Sequence, residues 1–210
     1  MARVKVNVDN FARVETDHMM TAFVGQAGGI NKWMHNRVPT PLDNQPVVRM
    51  NRDTLYSVAV VDISHGASLT LPAGGGRYLS AMVVNQDHYL NAVIHDHGDH
   101  TLSVDQFDTP YVAVGIRILV DPNDPSDVAE VAALQDQLAV TAEAATPFQM
   151  PDYDTDSYTE TRQALLTLGK NVSGYERSFG RREDVDPVRH LVATAGGWGG
   201  LPEQGPTTLM

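Results

Sequence analysis

The sequence predicts an α+β fold: an antiparallel β-sandwich core of jelly-roll-like character, with an N-terminal helix and C-terminal helices. Short segments rich in Val, Ile, Leu, Tyr and Thr follow one another between turn signals such as Gly74-Gly75-Gly76. After Val120 the hydrophobic period changes from about 2 to about 3.6, which marks the change from strands to helices. Strands first and helices afterwards indicate a single domain over residues 1–210.

Residues 1–46 are predicted to form a helix and a loop. Apolar residues recur at loosely helical spacing from Asn10 to about Gly28, and Gly28-Gly29 ends the helix. The stretch RVPTPLDNQP at residues 37–46 contains three prolines, which disfavour both helix and strand. We therefore expect a surface loop there.

Residues 47–120 are predicted to form the β-sandwich core. Strands are expected at residues 47–50, 54–63, 68–71, 77–84, 88–97, 100–104 and 111–120. Gly98-Asp99 is expected to form a two-residue hairpin turn, because glycine supplies the positive φ that a type II′ turn needs.

Residues 121–210 are predicted to be helical. Asp124 is the expected N-cap and Pro125 the first residue of a helix that continues to Leu138. Two further helices are expected, one at about residues 157–168 and one at residues 186–196.

Composition restricts the partners. The formal net charge of −11 argues against a nucleic-acid or anionic-membrane partner, because such surfaces are bound by clusters of Lys and Arg. The chain has no cysteine, which excludes a thiol nucleophile and a cysteine-ligated zinc. It has no apolar run of about 18 residues and no nucleotide-binding motif. We therefore expect a soluble, cytoplasmic protein without an organic cofactor.

Half of the eight histidines lie between His88 and His100. In the predicted hairpin, His95, His97 and His100 project from one face with neighbouring Cβ atoms roughly 5–7 Å apart. Three imidazoles so placed can hold a divalent metal ion that activates a water molecule. The alternative interpretation is a solvated hairpin tip, where polar side chains are ordinary.

A second group of polar residues precedes a predicted strand. Asn51, Arg52 and Asp53 come directly before a strand that is expected to be buried, so they lie at the rim of the sandwich. They form either an ion pair that clamps the preceding loop or an anion-binding and proton-transfer pair at a pocket mouth. Arg117, inside an apolar strand, is expected to snorkel, to pair with Asp121 or to face a polar cavity.

Five stretches resemble the domain-of-unknown-function 1254 family of bacterial proteins. They are NFARVETD (10–17), PLDNQPVVRMNRDTLYS (41–57), LPAGGGRYLSAMVVNQDHY (71–89), IRILVDPNDPSDVAEVAALQDQ (116–137) and REDVDPVRHLVATAGGWGGLP (182–202). The resemblance covers nearly the whole chain and implies a jelly-roll β-sandwich with added helices, but no established activity. The family pattern includes His88 and not the HDHGDH segment at residues 95–100. It therefore shifts attention from the three-histidine site to the rim residues and His88.

These residues suggest a small-molecule enzyme that uses acid–base chemistry, for hydrolysis, elimination or isomerisation, in a pocket at one end of the sandwich. Asp53 is the expected general base, and His88 or Tyr56 the general acid. The residues expected to bind the substrate and its anionic group are Asn51, Arg52, Arg117 and Trp198. The alternatives are a metal-dependent enzyme at the three-histidine site and a non-catalytic small-ligand-binding domain.

The resemblance also suggests an oligomer. Relatives commonly continue past the segment equivalent to GGWGGLP into a second β domain, whereas this sequence ends at Met210. Apolar surface around Trp198 and Leu201 then needs another cover. We expect a second copy of the chain to supply it, in a two-fold homodimer.

Overall fold

The computed structural model describes residues 3–41 and 51–197. The helices in these residues are α1 (Phe11–Ala27), α2 (Val104–Phe107), α3 (Pro125–Gln135), α4 (Thr155–Gly169) and α5 (Pro187–Gly197). The strands are β1 (Met34–His35), β2 (Thr54–Asp62), β3 (Ala67–Leu71), β4 (Leu79–Asn85), β5 (Leu90–Ile94), β6 (Gly98–Leu102), β7 (Tyr111–Leu119) and β8 (Ala139–Ala142).

The strands form two antiparallel sheets. One has five strands in the order β1-β2-β7-β4-β5, and the other has three in the order β6-β3-β8. The long strands β2 and β7 pair along their whole length, from Thr54 opposite Leu119 to Asp62 opposite Tyr111. The prediction of an α+β fold with antiparallel sheets, an N-terminal helix and C-terminal helices is confirmed.

Both faces of β2 are buried, and each face belongs to a different hydrophobic cluster. Leu55 and Val61 pack in a cluster that also contains residues of β3, β4, β6 and β7, so it draws on both sheets. Val58 and Val60 pack instead with Met20 of α1. Because alternate residues of a strand point to opposite faces, α1 covers the face of the five-stranded sheet that is turned away from the shared cluster.

Helix α1 also contacts the C-terminal helices. Phe11 and Val14 of α1 form a further buried cluster with Leu165 of α4 and Val192 of α5. Residues three and four apart lie on one face of a helix, so the beginning of α1 presents its apolar residues to α4 and α5 while later residues reach the sheet. Helix α1 therefore joins the five-stranded sheet to the C-terminal helices.

The predicted hairpin around Gly98-Asp99 is wrong. Strand β5 pairs with β4, whereas β6 pairs with β3, so the two strands lie in different sheets. Gly98 does have a positive φ of 103°, but it begins β6 opposite Leu71 and forms no hairpin turn. The conformation of a glycine is a local property, whereas the partner of a strand is decided by long-range packing.

The prediction that α3 continues to Leu138 is also wrong. The N-cap is as predicted, since the Asp124 side chain accepts a hydrogen bond from the Ser126 backbone N–H, but the helix ends at Gln135 and β8 follows. Gln135 is completely buried, and its amide donates to the backbone carbonyl oxygens of Asn36 and Tyr56 at 3.2 and 3.0 Å. This contact holds the end of α3 against β1 and β2, and the chain then returns to pair with β3.

The remaining predicted helices agree with α1, α4 and α5 to within a few residues. Helix α1 ends at Gly28, whose φ of 74° is the left-handed conformation that glycine favours. The predicted strand at residues 47–50, and the residues Trp198 and Leu201, lie outside the described residues. In the described parts of the chain, none of the helices is both long enough and apolar enough to cross a membrane.

Candidate functional site

The predicted rim residues lie at the beginning of β2. The Asn51 side chain accepts a hydrogen bond from the Asp53 backbone N–H at 3.1 Å and donates one to the Thr54 hydroxyl at 3.2 Å. Asp53 is exposed, and its backbone carbonyl accepts from the Val120 N–H at 2.9 Å. Among the residues that the structure describes, no ion pair joins Arg52 to Asp53. The clamp at this position is therefore an Asn-based turn, not the ion pair.

Tyr56 and Arg117 are brought together by the pairing of β2 with β7. They are direct cross-strand partners, and the guanidinium carbon of Arg117 lies 5.4 Å from the centre of the Tyr56 ring. Tyr56 is buried, with 4% of its surface exposed. A guanidinium over an aromatic face is attracted by the ring quadrupole, so stacking on Tyr56 accommodates this arginine inside an apolar strand.

His88 lies at the other end of the sheet from Asp53. Strand β4 runs from Leu79, opposite Ile118 of β7, to Asn85, opposite Val112, and His88 follows its end. These two ends are about 20 Å apart at the usual rise of a strand. Since Asp53 is next to the first end, the structure does not bring Asp53 and His88 together as a base and an acid for one substrate.

The three histidines of the predicted metal site do not converge. The His95 ring donates from Nδ1 to the Leu79 carbonyl at 3.1 Å, whereas the His100 ring donates from Nε2 to the Asp96 carbonyl at 2.8 Å. The hairpin that was expected to align them with His97 is absent, as β5 and β6 belong to different sheets. Within residues 3–41 and 51–197, no group of three or more His, Asp or Glu side chains is arranged to hold a metal ion.

Residues 86–89, the QDHY turn between β4 and β5, form the centre of a polar network, in which His88 is the one residue that the sequence analysis predicts as part of a site. Asp87 accepts from Arg13 of α1 at 2.6 Å and from Arg182 at 3.3 Å, on different carboxylate oxygens. The Tyr89 ring is stacked on His190 of α5, with centres 4.7 Å apart and planes 8° from parallel. The guanidinium carbon of Arg182 also lies over the Tyr89 ring, 4.7 Å from the ring centre. The turn is thus fastened to α1, to α5 and to the segment before α5.

The other two residues of the QDHY turn point inward to α1. Gln86 donates to the Asp17 carboxylate at 3.2 Å, and His88 bonds through Nδ1 to the Thr16 hydroxyl at 2.8 Å. Because the Thr16 hydroxyl donates to the Ala12 carbonyl, it accepts here, and the Nδ1 atom of His88 carries the proton. Burial lowers the pKa of His88 well below 6.5, and the charge of His190 lowers it further.

Two carboxylates of α1 are buried in the same region. Asp17 accepts from the Tyr153 hydroxyl at 2.7 Å, and Glu15 accepts from the Tyr158 hydroxyl at 2.9 Å. Burial raises the pKa of both carboxyls, although these hydrogen bonds act in the opposite direction. Arg162 of α4 lies 3.5 Å from Glu15 and supplies positive charge. Such shifted groups are typical of functional sites and also of structural networks.

An open cleft of about 540 Å³ lies beside the QDHY turn. Its polar end is formed by Arg13, Asp87, Tyr89, Arg182 and His190. Its apolar wall comes from the segment before α1 and from α4 and α5, and includes Val8, Leu165, Leu168, Val188, Leu191 and Val192. Three of these apolar side chains are largely exposed: Val8 at 58%, Leu168 at 46% and Val188 at 55%. The cleft therefore combines an apolar wall that faces solvent with a charged end.

A second cleft, of about 620 Å³, lies between β5 and β6 and shares Arg182 with the first. Its lining is dominated by polar residues of both charges, including Asp99, Asp108, Arg181 and Glu183. The first cleft has the composition that is more typical of a ligand site, which is mostly apolar with a few polar groups.

The sequence did contain a signal for the network. NFARVETD and QDHY are two of the stretches that carry the family resemblance, and the structure places Arg13, Thr16 and Asp17 against the QDHY turn. From the sequence alone, Glu15 and Asp17 of α1 would be expected on a solvent-exposed face of the helix. Their burial depends on Tyr153 and on α4, which are more than a hundred residues away along the chain.

The fold of the chain is similar to that of a protein of known structure. Among solved structures it is similar to the VPA0106 protein from Vibrio parahaemolyticus, a structural genomics target, with 15% identity and a TM-score of 0.62. The similarity covers 94% of this chain and 69% of that protein. At this identity the likeness shows the fold alone. No curated protein matches the chain.

The family resemblance is borne out by a direct match. The profile of the family described as "Protein of unknown function (DUF1254)" matches residues 30–101, which contain both NRDTLYS and QDHY. The resemblance is thus confirmed over residues 30–101, which are similar to the DUF1254 family.

Proposed function

We propose that this domain binds a small amphipathic molecule in the cleft beside the QDHY turn. The observation that carries the proposal is the cleft of about 540 Å³, with an apolar wall on one side and Arg13 and Arg182 at its end. Ligand sites commonly measure about 300–1,000 Å³ and combine a mostly apolar lining with a few convergent polar groups. An apolar part of the ligand would cover Val8, Leu168 and Val188, which are exposed in the free chain.

The charged groups at this cleft favour binding over proton transfer. Both carboxylate oxygens of Asp87 accept hydrogen bonds from arginines. Both ring nitrogens of His190 lie within hydrogen-bonding distance of carbonyl oxygens, those of Ser178 and Asp87. A general base must point a lone pair at the substrate, whereas Asp87 is held by two arginines and both nitrogens of His190 face carbonyl oxygens of the protein. The acid–base hypothesis stays a prediction for the other end of the sheet, where Asp53, Tyr56 and Arg117 lie.

The proposal is tested with a neutral fluorescent probe, N-phenyl-1-naphthylamine, which fluoresces when it enters an apolar site. We expect saturable binding to the full chain, and a loss of about tenfold in affinity for Val188→Glu, because that change removes apolar contact area worth roughly 1.5 kcal/mol. Val93→Glu is the matched control, since Val93 is 51% exposed, similar to Val188, and lies outside the cleft. Absence of saturable binding, or equal losses in the two variants, would contradict the proposal.

Two structural expectations accompany the proposal. We propose that the two sheets pack as a sandwich, which is supported by the hydrophobic cluster that they share. We also retain the homodimer as a proposal. It rests on the sequence around Trp198 and on the family resemblance, and light scattering tests it: a mass near 22.9 kDa at micromolar concentration would refute the dimer.

A further inference from the structure

We infer that the ligand of this cleft is an anion, specifically a small carboxylate attached to an apolar body. This inference rests on the proposed function, because it assigns the chemical class of the molecule that the cleft binds. It depends on the pairing of charges at the polar end, where two guanidinium groups share one carboxylate.

At the polar end of the cleft, two guanidinium groups pair with the same carboxylate. Arg13 and Arg182 both bind Asp87, with nitrogen–oxygen distances of 2.6 and 3.3 Å, so one carboxylate faces two guanidinium groups. The other acid of the cleft, Asp9, is exposed to solvent before α1. The charges of the whole lining cancel, but the two arginines share the single carboxylate of Asp87, so direct pairing neutralises only one of the two guanidinium charges.

His190, at the polar end of the cleft, is buried with 4% of its surface exposed. Its Nδ1 atom lies 2.9 Å from the Ser178 carbonyl oxygen and its Nε2 atom lies 3.2 Å from the Asp87 carbonyl oxygen. Both ring nitrogens therefore face carbonyl oxygens of the protein. The ring is also stacked on Tyr89, so it helps to hold the aromatic side chain over which the Arg182 guanidinium lies.

Arg182 has more N–H donors than the hydrogen bond to Asp87 uses. Its side chain is 57% exposed, and the one hydrogen bond that it donates to the described residues is long, at 3.3 Å. The guanidinium lies over the Tyr89 ring at 4.7 Å, and Arg182 is one of the residues that line the cleft. A planar fork of N–H donors matches the geometry of a carboxylate. Arg182 is thus the residue best placed to contact the anionic group.

A neutral or cationic ligand fits these observations less well. A neutral polar group would gain no charge-assisted hydrogen bond from Arg182, and a cation would be repelled by the guanidinium groups of Arg13 and Arg182. An amphipathic carboxylate satisfies both ends: its apolar body covers the side chains around Val188, and its carboxylate pairs with Arg182. Direct pairing with Asp87 is excluded for such a ligand, since like charges repel.

The inference is tested by displacement of N-phenyl-1-naphthylamine with three probes that share one alkyl chain: octanoate, octanol and octylammonium, at low salt and neutral pH. We expect octanoate to bind about tenfold more tightly than octanol, and octylammonium more weakly than both, as a charge-assisted bond contributes this much at a partly exposed site. In Arg182→Gln the preference for octanoate over octanol should fall to less than about threefold. Arg181→Gln is the matched control, as Arg181 lies outside this cleft and should keep the preference.

The outcomes separate the two proposals. If the dye does not bind, the proposed function fails and the inference fails with it. If the dye binds and octanol displaces it as well as octanoate does, the cleft is a ligand site but the anion preference is refuted. If octanoate is preferred equally in Arg182→Gln and Arg181→Gln, the preference does not come from Arg182 and the inference is overturned as well.

Discussion

The hydrogen bond from Tyr153 to Asp17 is expected to be one of the stronger side-chain contributions to stability, and Tyr153→Phe removes it with little change in volume. The hydroxyl lies 2.7 Å from a carboxylate that is only 3% exposed. A hydrogen bond to a charged and buried acceptor contributes about 1.5–3 kcal/mol, because the buried acceptor cannot form a hydrogen bond with water when the donor is lost. We therefore expect the free energy of unfolding of Tyr153→Phe to fall by about this amount at pH 7.

The loss should depend on pH in a defined direction. Burial raises the pKa of Asp17 above its ordinary value of 3.8, so the neutral form is favoured in the folded chain. The stability that comes from this shifted pKa of Asp17 is fully present below pH 3.8 and is lost as the pH rises through the pKa of the folded chain. At low pH the hydrogen bond joins two neutral groups, which contributes about 0.5–1.5 kcal/mol. The effect of Tyr153→Phe should therefore be smaller near pH 4 than at pH 7.

Urea unfolding, followed by tryptophan fluorescence at the two pH values, measures both effects. Tyr175→Phe is the matched control, because the Tyr175 hydroxyl donates to the Gly169 carbonyl at 3.2 Å on an exposed side chain, and its loss should cost less than about 0.5 kcal/mol. The reasoning would be refuted if the two variants lost equal stability at pH 7. A loss for Tyr153→Phe that grew on acidification would contradict the sign.

Three further predictions concern other parts of the chain. Burial keeps the pKa of His88 well below 6.5, so the neutral form contributes stability above pH 6.5 that is lost as the pH falls. The melting temperature of His88→Asn should therefore drop less between pH 7 and pH 5 than that of the unaltered chain. Leu69→Ala should cost about 2–5 kcal/mol in urea unfolding, because Leu69 is fully buried in the cluster shared by both sheets, whereas Val93→Ala at an exposed position should cost less than about 0.5 kcal/mol. Elemental analysis of His95→Ala/His97→Ala should find the same metal content as in the unaltered chain, and a stoichiometric metal that is lost in the double variant would refute this.

Local signals predicted most elements of this fold, but they missed β1, α2 and β8 and did not identify the partners of the strands. The helix of α1 and its end at Gly28 follow from spacing and from the positive φ that glycine permits, and the capping of α3 by Asp124 follows from side-chain chemistry. The pairing of β5 and β6 with different sheets is not encoded locally, because a strand segment in the sequence does not specify which neighbour it joins. The same limit explains why the three histidines seemed to share a face.

The candidate site shows the same division between local and long-range information. The sequence predicts the two strands that carry Tyr56 and Arg117, but it does not predict that these strands pair. The separation of Asp53 from His88 depends on the direction and order of β2, β7 and β4 in the sheet. The burial of Asp17 depends on a tyrosine that is distant in the sequence, and hydrophobic periodicity carries no information about such a contact.

We propose that the cleft beside the QDHY turn binds a small amphipathic anion, and chemical-shift mapping by NMR would locate this ligand on the chain. Isotope-labelled full chain is titrated with octanoate, and the backbone amide shifts are followed residue by residue. The account predicts saturable shift changes, with one common dissociation constant, at the residues that line the cleft: Val8, Arg13, Tyr89, Arg182, Val188 and Leu191. It predicts no comparable change at Val93 or Leu119, which are exposed apolar residues elsewhere. Saturable changes centred on another surface, or shifts that grow linearly without saturation at all positions, would contradict it.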